Sequence, residues 1–509
     1  MANPLALIVG AGPTGMTAAI EPVRSGFDVR IIDKSDHIAR WSQALVVQAR
    51  TLEQLQRYGI ADKAVSQGRK LNGAHFYSEG KEILSFSFDR LPSRYPYALF
   101  LPQSKTEALL NEYMESLGVK TERQVELDLL VQEEGKIRAI LRHPDGKLEE
   151  VNPRWLLGCD GAHSAVREKT GTPFEGGGVG LSFFLGDLEI DGPDAPGDDL
   201  AIHVRDGDVV FMGRLDDKIV RLIVALHEKQ EGEEQRELTL EDFQRSVDQV
   251  GVRVKIHSSE WMTPFRVNDR QAKHYRIGNV FLAGDASHIH SPVGGQGMNT
   301  GIQDVANLAW KMGAVARGAE DGLLNSYEEE RGAVGKKLLQ FTERGLKMAT
   351  TSNSLLESLR DILAPALSDV EAVRKAAMGF ISEIAIEYRS SSIVTDEGGN
   401  GDLRAGDRFP DLSLNGREEG ATVLGNWTAP KHLAVVLNGS ADEVAEIRVG
   451  LLQADVTPVR SSELDEEGLR LLGISKKVFI LRPDGYVGFR GSIEQGSEWR
   501  EYARRLAIA

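Results

Sequence analysis

Residues 5–33 read LALIVGAGPTGMTAAIEPVRSGFDVRIID. Residues 5–9 are a short unbroken apolar run, the pattern of a buried parallel strand. Gly10, Gly12 and Gly15 follow as a GxGxxG turn, residues 16–24 have helical character, and residues 29–32 make a second strand. The stretch therefore predicts a βαβ unit. Gly10 permits the tight turn, Gly12 lets backbone approach a pyrophosphate, and Gly15 lets helix and strand pack closely. The anion rests on backbone N–H groups at a helix N-terminus. Asp33 ends the second strand 18 residues after Gly15, near the ~20 expected for an acid that accepts a ribose hydroxyl. Pro22 falls late in the helix and is expected to kink or end it. The unit predicts a dinucleotide site without choosing between NAD and FAD, which share the adenosine diphosphate end.

A second stretch narrows the choice. Residues 279–301 read NVFLAGDASHIHSPVGGQGMNTG. A buried strand ends near Ala283, and Asp285 follows where a carboxylate can hold a polyol hydroxyl. Pro292 and the loop Gly294-Gly295-Gln296-Gly297 lead into a long helix, whose first turn carries free N–H groups and partial positive charge. That end suits the carbonyl edge of an isoalloxazine, which becomes anionic on reduction. His288 and His290 are expected to point to opposite sides. With Asp285 as the nearby carboxylate they lack the cluster a metal site needs. Packing beside the flavin is the expectation, with a proton relay as the alternative. Cys159 is expected to be a small buried hydrophobe.

The remaining chain sets the organisation. Its 509 residues suffice for about three domains. Residues 50–60 and 103–118 have helical spacing, residues 123–142 alternate as strands, and residues 200–226 form an antiparallel meander with turns at Asp206-Gly207 and Asp216-Asp217. A long helical stretch covers about 300–385. Residues 389–407 are polar and rich in Gly and Ser, and read as a linker. The net charge of −16 argues against nucleic acid, which needs clustered Lys and Arg. It does not oppose a dinucleotide held by backbone N–H groups. The single cysteine, Cys159, excludes an internal disulfide and a CxxC pair. It fits a reducing compartment, and the expected location is the cytoplasm. Residues 1–20 lack the basic start of a secretory signal, and Gly10, Gly12, Pro13 and Gly15 interrupt them, so neither a leader nor a membrane span is expected.

GAGPTG, then CDGAHSAVR at residues 159–167, then GDASHIHSPVGGQGMNTGIQD at residues 284–304 resemble, in that order, the group A FAD-dependent aromatic hydroxylases. These are single-component flavoprotein monooxygenases of the phenol and polyketide hydroxylase type. LPQSKTE at 101–107 and LLNSYEEERG at 323–332 extend the resemblance, which runs to about residue 390. It implies an α/β fold: a discontinuous Rossmann-like FAD-binding domain (1–70, 101–173 and 276–390) with an inserted antiparallel-sheet substrate domain (71–100 and 174–275). A linker at 391–402 leads to a thioredoxin-like α/β domain at 403–509. The resemblance implies that Gly10, Gly12, Pro13, Thr14, Gly15, Asp33 and Lys34 bind the adenosine diphosphate end, and that Gln103 contacts the nucleotide chain. Asp160, Gly161 and Arg167 would belong to the motif shared between FAD binding and reaction with NADPH or NADH. Gly284 and Asp285 would hold the ribityl chain, and Pro292, Gly295, Gln296, Gly297, Met298 and Asn299 would line the flavin ring. The family's arginine seven residues before RT(L/M)E is replaced here by Gln43, with Arg40 nearby, so either residue stands as the flavin contact.

The implied reaction is hydroxylation of a phenolic or polycyclic aromatic substrate by NAD(P)H and dioxygen through a flavin hydroperoxide. The alternatives are Baeyer–Villiger oxygen insertion on the same fold and a non-catalytic flavin-binding protein. No catalytic base is singled out: Tyr77, Tyr97, His203 and Tyr275 are all conceivable. VFILRPDGYVGFR at residues 478–490 resembles the thioredoxin-like tail of many such hydroxylases. That tail holds no cysteine here, so dithiol exchange is excluded, and packing or homodimer contacts are its expected work.

Overall fold

The computed structural model describes residues 4–37, 44–227, 238–291, 294–350, 371–425, 427–494 and 496–509. The fold is mixed α/β. Strand Ala6–Val9 lies in parallel between Val29–Asp33 and Trp155–Gly158, and Trp155–Gly158 pairs in parallel with Val280–Leu282. Glu122–Arg123 and the antiparallel Arg276–Ile277 complete a six-stranded sheet. Ala6, Leu7, Ile8 and Val9 are all buried, as helices on both faces of a parallel sheet demand. Helix Pro13–Arg24 ends two residues past Pro22, where the N–H of Ser25 turns to the carbonyls of Glu21 and Pro22.

The order of the strands brings distant sequence together. The C-terminal ends of Ala6–Val9, Trp155–Gly158 and Val280–Leu282 lie side by side, so the turns after them meet at one edge, where parallel sheets place their ligands. Gly158 allows this closeness: a Cβ there would lie 2.8 Å from Val166 Cβ.

A second sheet of eight strands hangs on two long strands, Phe174–Asp191 and Lys255–Ala272, paired antiparallel with three register shifts. The expected meander completes it: Leu200–Arg205, Asp208–Arg214 and Ile219–His227, with Asp206 and Gly207 both at positive φ in the first turn. Helix Leu240–Gln249 covers one face, burying Phe243 and Val247 against Val210, Met212, Leu222 and Val224. The opposite face carries Phe183, Ile202, Val209 and Ala225 with Phe76, Phe211, Ile223 and Phe265. Gly213 shares a face with Val209 and Phe211 by strand alternation. A Cβ on Gly213 would meet the Phe100 ring at 2.1 Å, so this face turns toward strand Ala98–Phe100.

The helical stretch expected over about 300–385 is built from several helices. Helix Gly297–Ala316 stops before Gly318, whose φ is +114°, and a turn of π-helix, Glu328–Gly332, precedes helix Ala333–Ala349. Beyond it a five-stranded sheet is built from His432–Leu437, Ala454–Val459, Lys477–Leu481 and Val487–Ser492. Its edge strand, Thr395–Asp396, comes from the segment expected as a linker. Leu433, Val435, Phe479 and Leu481 line a core of their own, while Ala434, Val436, Val478 and Ile480 join the core of the six-stranded sheet.

The fit of Gly213 on Phe100 is testable. Gly213→Ala is expected to cost about 1–3 kcal/mol, the usual penalty of overpacking. Adding Phe100→Ala should recover part of the lost melting temperature. Simple additivity of the two losses would show that the sheet does not dock on this ring.

Candidate functional site

The first turn is built as the glycines require. Gly10 has φ +99°, and a Cβ there would lie 2.3 Å from the carbonyl oxygen of Cys159. A Cβ on Gly15 would lie 1.9 Å from the carbonyl oxygen of Gly10, whereas one on Gly12 would meet nothing within 4 Å. Gly10 and Gly15 thus serve the fold, and Gly12 faces open space where a pyrophosphate fits. Helix Pro13–Arg24 begins at Gly12 without a side-chain cap, and Pro13 has no N–H to satisfy. Asp33 accepts from the N–H of Ala11 at 2.6 Å and of Ser35 at 2.7 Å, which fixes its carboxylate beside the turn. Lys34 follows it on the surface. Cys159 is buried, its β-carbon 3.4 Å from the position of a Gly15 Cβ, and burial pushes its thiol up.

Thr14 joins the first motif to the third. Its hydroxyl would lie 2.7 Å from a Cβ on Gly284 and 2.4 Å from one on Gly301, so both glycines exist to admit it. Asp285 follows Gly284. No described residue hydrogen-bonds its carboxylate, which is open to solvent, yet the surrounding protein pushes its pKa up. Asp285 thus offers an unpartnered carboxylate to solvent beside the Gly284 turn. Helix Gly297–Ala316 also starts without a side-chain cap. Gln296, at its start, donates to the carbonyl of Phe380 and leaves its Oε1 buried and unpartnered. Asn299 donates to the carbonyls of Val46 and Gly295, both at 2.8 Å, and accepts from the N–H of Gln48. Gln48 donates to the carbonyl of Gly294, and its Oε1 is also buried and unpartnered. Gly297 and Met298 are half-buried beside it. Segments 44–48 and 294–299 therefore clasp each other. Sequence reading missed Val46, whose role rests on a backbone carbonyl, and Gln48, whose partners lie about 250 residues away.

Asp160 and Arg167 reach the same place from the middle motif. Asp160 accepts from Ser164 Oγ at 2.5 Å and from the N–H of Val166 at 3.1 Å, so it steadies the start of helix Ala165–Lys169, which Ser164 caps. Burial pushes its carboxyl upward. Gly161, at φ +80°, makes the turn between strand and helix. Arg167 donates to the carbonyls of Ala286 and Ala162 and lies 3.8 Å over the Phe174 ring. Gln103 opens helix Gln103–Ser116 and accepts from the N–H of Ala44. Arg40, Gln43 and Pro292 lie outside the described residues.

One expectation is corrected outright. The rings of His288 and His290 do not point apart: they stack 6.3 Å from each other, because residues i and i+2 of an extended strand share a face. His288 is bound at Nε2 to Asp304 Oδ2 at 2.8 Å. The Nε2 of His290 is buried without a partner, and burial followed by the neighbouring His288 pulls its pKa down to about 4. Among the described residues no group of three or more His, Cys, Asp or Glu side chains is arranged to hold a metal. Two of the conceivable bases also fall away from the site. Tyr77 and His203 stack on each other at 4.7 Å, and alternation puts both on the sheet face that carries helix Leu240–Gln249. Tyr275 is buried against His288 and bound to Gln271. Tyr97 stands half-buried beside Tyr95, next to strand Ala98–Phe100.

The residue that fixes these loops was not singled out from sequence. Arg331 is fully buried. It donates to Asp304 Oδ1 at 2.7 Å, to the Tyr388 hydroxyl at 2.8 Å and to the carbonyl of Thr300 at 3.1 Å. Asp304 in turn accepts from the N–H of Gly284 and binds His288. Burial alone would raise the Asp304 pKa, but Arg331 and His288 outweigh it and hold it low. Both the Gly284 turn and the first turn of the long helix are thus held by one guanidinium. Its signal was the segment LLNSYEEERG at 323–332, which extends the resemblance but gave Arg331 no role.

The unpartnered Oε1 of Gln48 and Gln296, the open space at Gly12, the uncapped helix ends and the exposed Asp285 together fit a long molecule with a diphosphate, a polyol and a polar ring. Residues 5–342 match the FAD binding domain family. The chain is 33% identical to 6-methylpretetramide 4-monooxygenase of Streptomyces rimosus, across 96% of this chain and 91% of that one. It is 32% identical to pentachlorophenol 4-monooxygenase of Sphingobium chlorophenolicum, across 97% and 95%. The structure of OxyS anhydrotetracycline hydroxylase from Streptomyces rimosus matches at a TM-score of 0.80 and 29% identity, covering 98% of each chain. The chain therefore belongs to the FAD binding domain family of FAD-dependent aromatic monooxygenases. Among the described residues no helix is long and apolar enough to cross a membrane.

Two measurements probe the site. Gly12→Ala is expected to fold with an unchanged melting temperature yet bind FAD at least about tenfold more weakly, ~1.4 kcal/mol. Gly15→Ala should fail to fold, since its Cβ would strike backbone. The second concerns Glu383, buried at φ +63°, which accepts from Thr300 Oγ1 at 2.8 Å and from Gln303. Burial raises its pKa to about 8. Between the ordinary glutamate range and about 8 the folded protein keeps a proton that the unfolded chain has lost, so Glu383 lowers stability as pH rises through that window. Glu383→Gln should therefore gain melting temperature over the parent between about pH 5 and about pH 8. A constant difference across that range counts against the raised pKa.

Proposed function

We propose that this monooxygenase hydroxylates a phenolic or polycyclic aromatic compound, with dioxygen as oxidant and NADPH or NADH as the electron source. The observation that carries the substrate class is the sheet face turned toward Phe100, which presents Phe76, Phe183, Phe211, Ile223 and Phe265. Flat apolar rings suit aromatic partners, which stack or meet edge to face. The relatives act on a pretetramide, a chlorinated phenol and an anhydrotetracycline, by their names, and support the same class.

Bound FAD supplies the two-electron reduction by nicotinamide and the activation of dioxygen. The chain's own part is to bind and orient. Gly12, Asp33 and Lys34 would hold the adenosine diphosphate end on a turn that Gly10, Pro13, Thr14 and Gly15 shape, with Gln103 on the nucleotide chain. Gly284 and Asp285 hold the polyol. Gly295, Gln296, Gly297, Met298 and Asn299 meet the ring with N–H groups of an uncapped helix start, which favours negative charge there. Arg167 braces the turn at Ala286, and Asp160 and Gly161 shape the turn that carries Arg167. The eight-stranded sheet excludes water above the reacting atoms. The supporting architecture is a discontinuous Rossmann-like domain, an inserted substrate sheet and a thioredoxin-like tail.

The test is NAD(P)H oxidation by the purified flavoprotein with a panel of phenols and fused-ring polyphenols, and labelled dioxygen to trace the oxygen. One labelled atom in a hydroxylated ring supports the reading, and no compound stimulating oxidation overturns it. Phe211→Ala should raise KM for a fused-ring substrate about tenfold or more, the value of one lost aromatic contact, while leaving substrate-free NAD(P)H oxidation unchanged.

A further inference from the structure

The tail lacks cysteine, yet one of its turns enters the interior of the nucleotide-binding half. Arg482 is fully buried, far outside the usual range for a guanidinium. It makes a forked pair with Glu330, 2.7 Å and 2.9 Å, and binds Asp484 within its own turn. Glu330 also accepts from Lys311 Nζ at 2.8 Å, Asn307 Nδ2 at 2.6 Å and Ser391 Oγ at 2.6 Å. Burial alone would raise the Glu330 pKa, but Arg482 and Lys311 overcome that and hold it well below the usual carboxylate range. On the other side of the turn, Arg50 donates to the carbonyl of Asp484 and lies 5.0 Å over the Tyr486 ring. Tyr486 packs on Tyr388 at 4.3 Å.

These partners are neighbours of the residues that shape the flavin site. Glu330 precedes Arg331, which holds Asp304 and the Thr300 carbonyl. Asn307 and Lys311 lie on the long helix whose start carries Gln296 and Asn299. Arg50 follows the clasp made by Val46 and Gln48. The Tyr388 hydroxyl accepts from Arg331. The turn 482–486 thus touches Glu330 beside Arg331, Asn307 on the long helix, Arg50 beside the clasp, and Tyr388.

We propose that the turn Arg482-Pro-Asp-Gly-Tyr486 is a positioning element of the flavin site, holding the Gly284 turn and the first turn of the long helix through Glu330 and Arg331. The buried group contains two cations, Arg482 and Lys311, and two anions, Glu330 and Asp484. Removing Arg482 alone leaves one anion in excess inside the protein, which displaces Glu330 and the adjoining Arg331. Removing both Arg482 and Glu330 leaves Lys311 with Asp484, again balanced.

The experiment follows that arithmetic on purified holoenzyme, with flavin fluorescence released on dilution as the measure of FAD affinity. Arg482→Met is expected to weaken FAD at least tenfold and to shift the flavin's visible absorption. Glu330→Gln combined with Arg482→Met should return affinity to within about threefold of the parent. A folded Arg482→Met protein with parental FAD affinity and spectrum overturns the proposal, as does a double variant no better than the single. If Arg482→Met does not fold, Arg482→Lys keeps the charge and loses the fork. It is then expected to weaken FAD severalfold, and parental affinity there overturns the proposal equally. The inference rests on the FAD site described above. A parent protein that holds no FAD sinks that site, whereas a parent that holds it beside an unaffected Arg482→Met sinks only this inference.

Discussion

The ion pair between Arg331 and Asp304, both with no exposed surface, is the constraint on which the rest of the site depends. A guanidinium withdrawn from water is tolerated only when its donors are spent, and the donors of Arg331 go to a carboxylate and a backbone carbonyl of the long helix and to a phenol on a separate segment. Asp304 spends its other oxygen on the Gly284 N–H and on His288. The loops that would meet the ring are therefore not free loops. Their conformation is the one that leaves a buried charge satisfied, which gives the rigid first contacts that a cofactor site needs.

The other constraint is the absence of side chains. Gly10 and Gly15 let strand, turn and helix approach to distances at which any Cβ would collide, and Gly284 and Gly301 do the same for Thr14. The motifs are separated by more than 260 residues in the chain, yet their contact is van der Waals packing onto bare backbone. A phosphate there meets N–H groups and helix ends rather than lysines, which is why a chain of net charge −16 can hold a dinucleotide.

How much of this was legible follows from range. The βαβ start was readable because strand, glycines, helix and acid are local and periodic. The meander at 200–226 was readable because alternation and an Asp-Gly turn are local too. The two 18-residue strands were not. Phe174–Asp191 contains Gly176, Gly177 and Gly178, its partner is about eighty residues away, and nothing short-range reports such a pairing. Tyr77 and His203 were each conceivable as the base, but only the strand pairing that joins them and helix Leu240–Gln249, covering the face they share, show that the face is the wrong one for the chemistry. Buried charge was the least legible feature. Glu330, Arg331 and Arg482 have the letters of a solvated surface, and burial depends on partners from four separate stretches.

The tail shows why charge rather than grease was used at its seam. Apolar side chains would bury as much area, but they tolerate sliding, and a slide of one residue reverses which side of a strand faces inward. The forked pair of Arg482 with Glu330, closed by Asp484 and Lys311, is satisfied in one register only. Its cost in desolvation is large, and hydrophobic residues of the same volume often give equal stability. What they do not give is a fixed position for Arg331, one residue along the chain from Glu330. The chain's only cysteine, Cys159, packs against the first glycine turn, so the cysteine-free tail acts on the flavin site by geometry and leaves electron transfer to the cofactor.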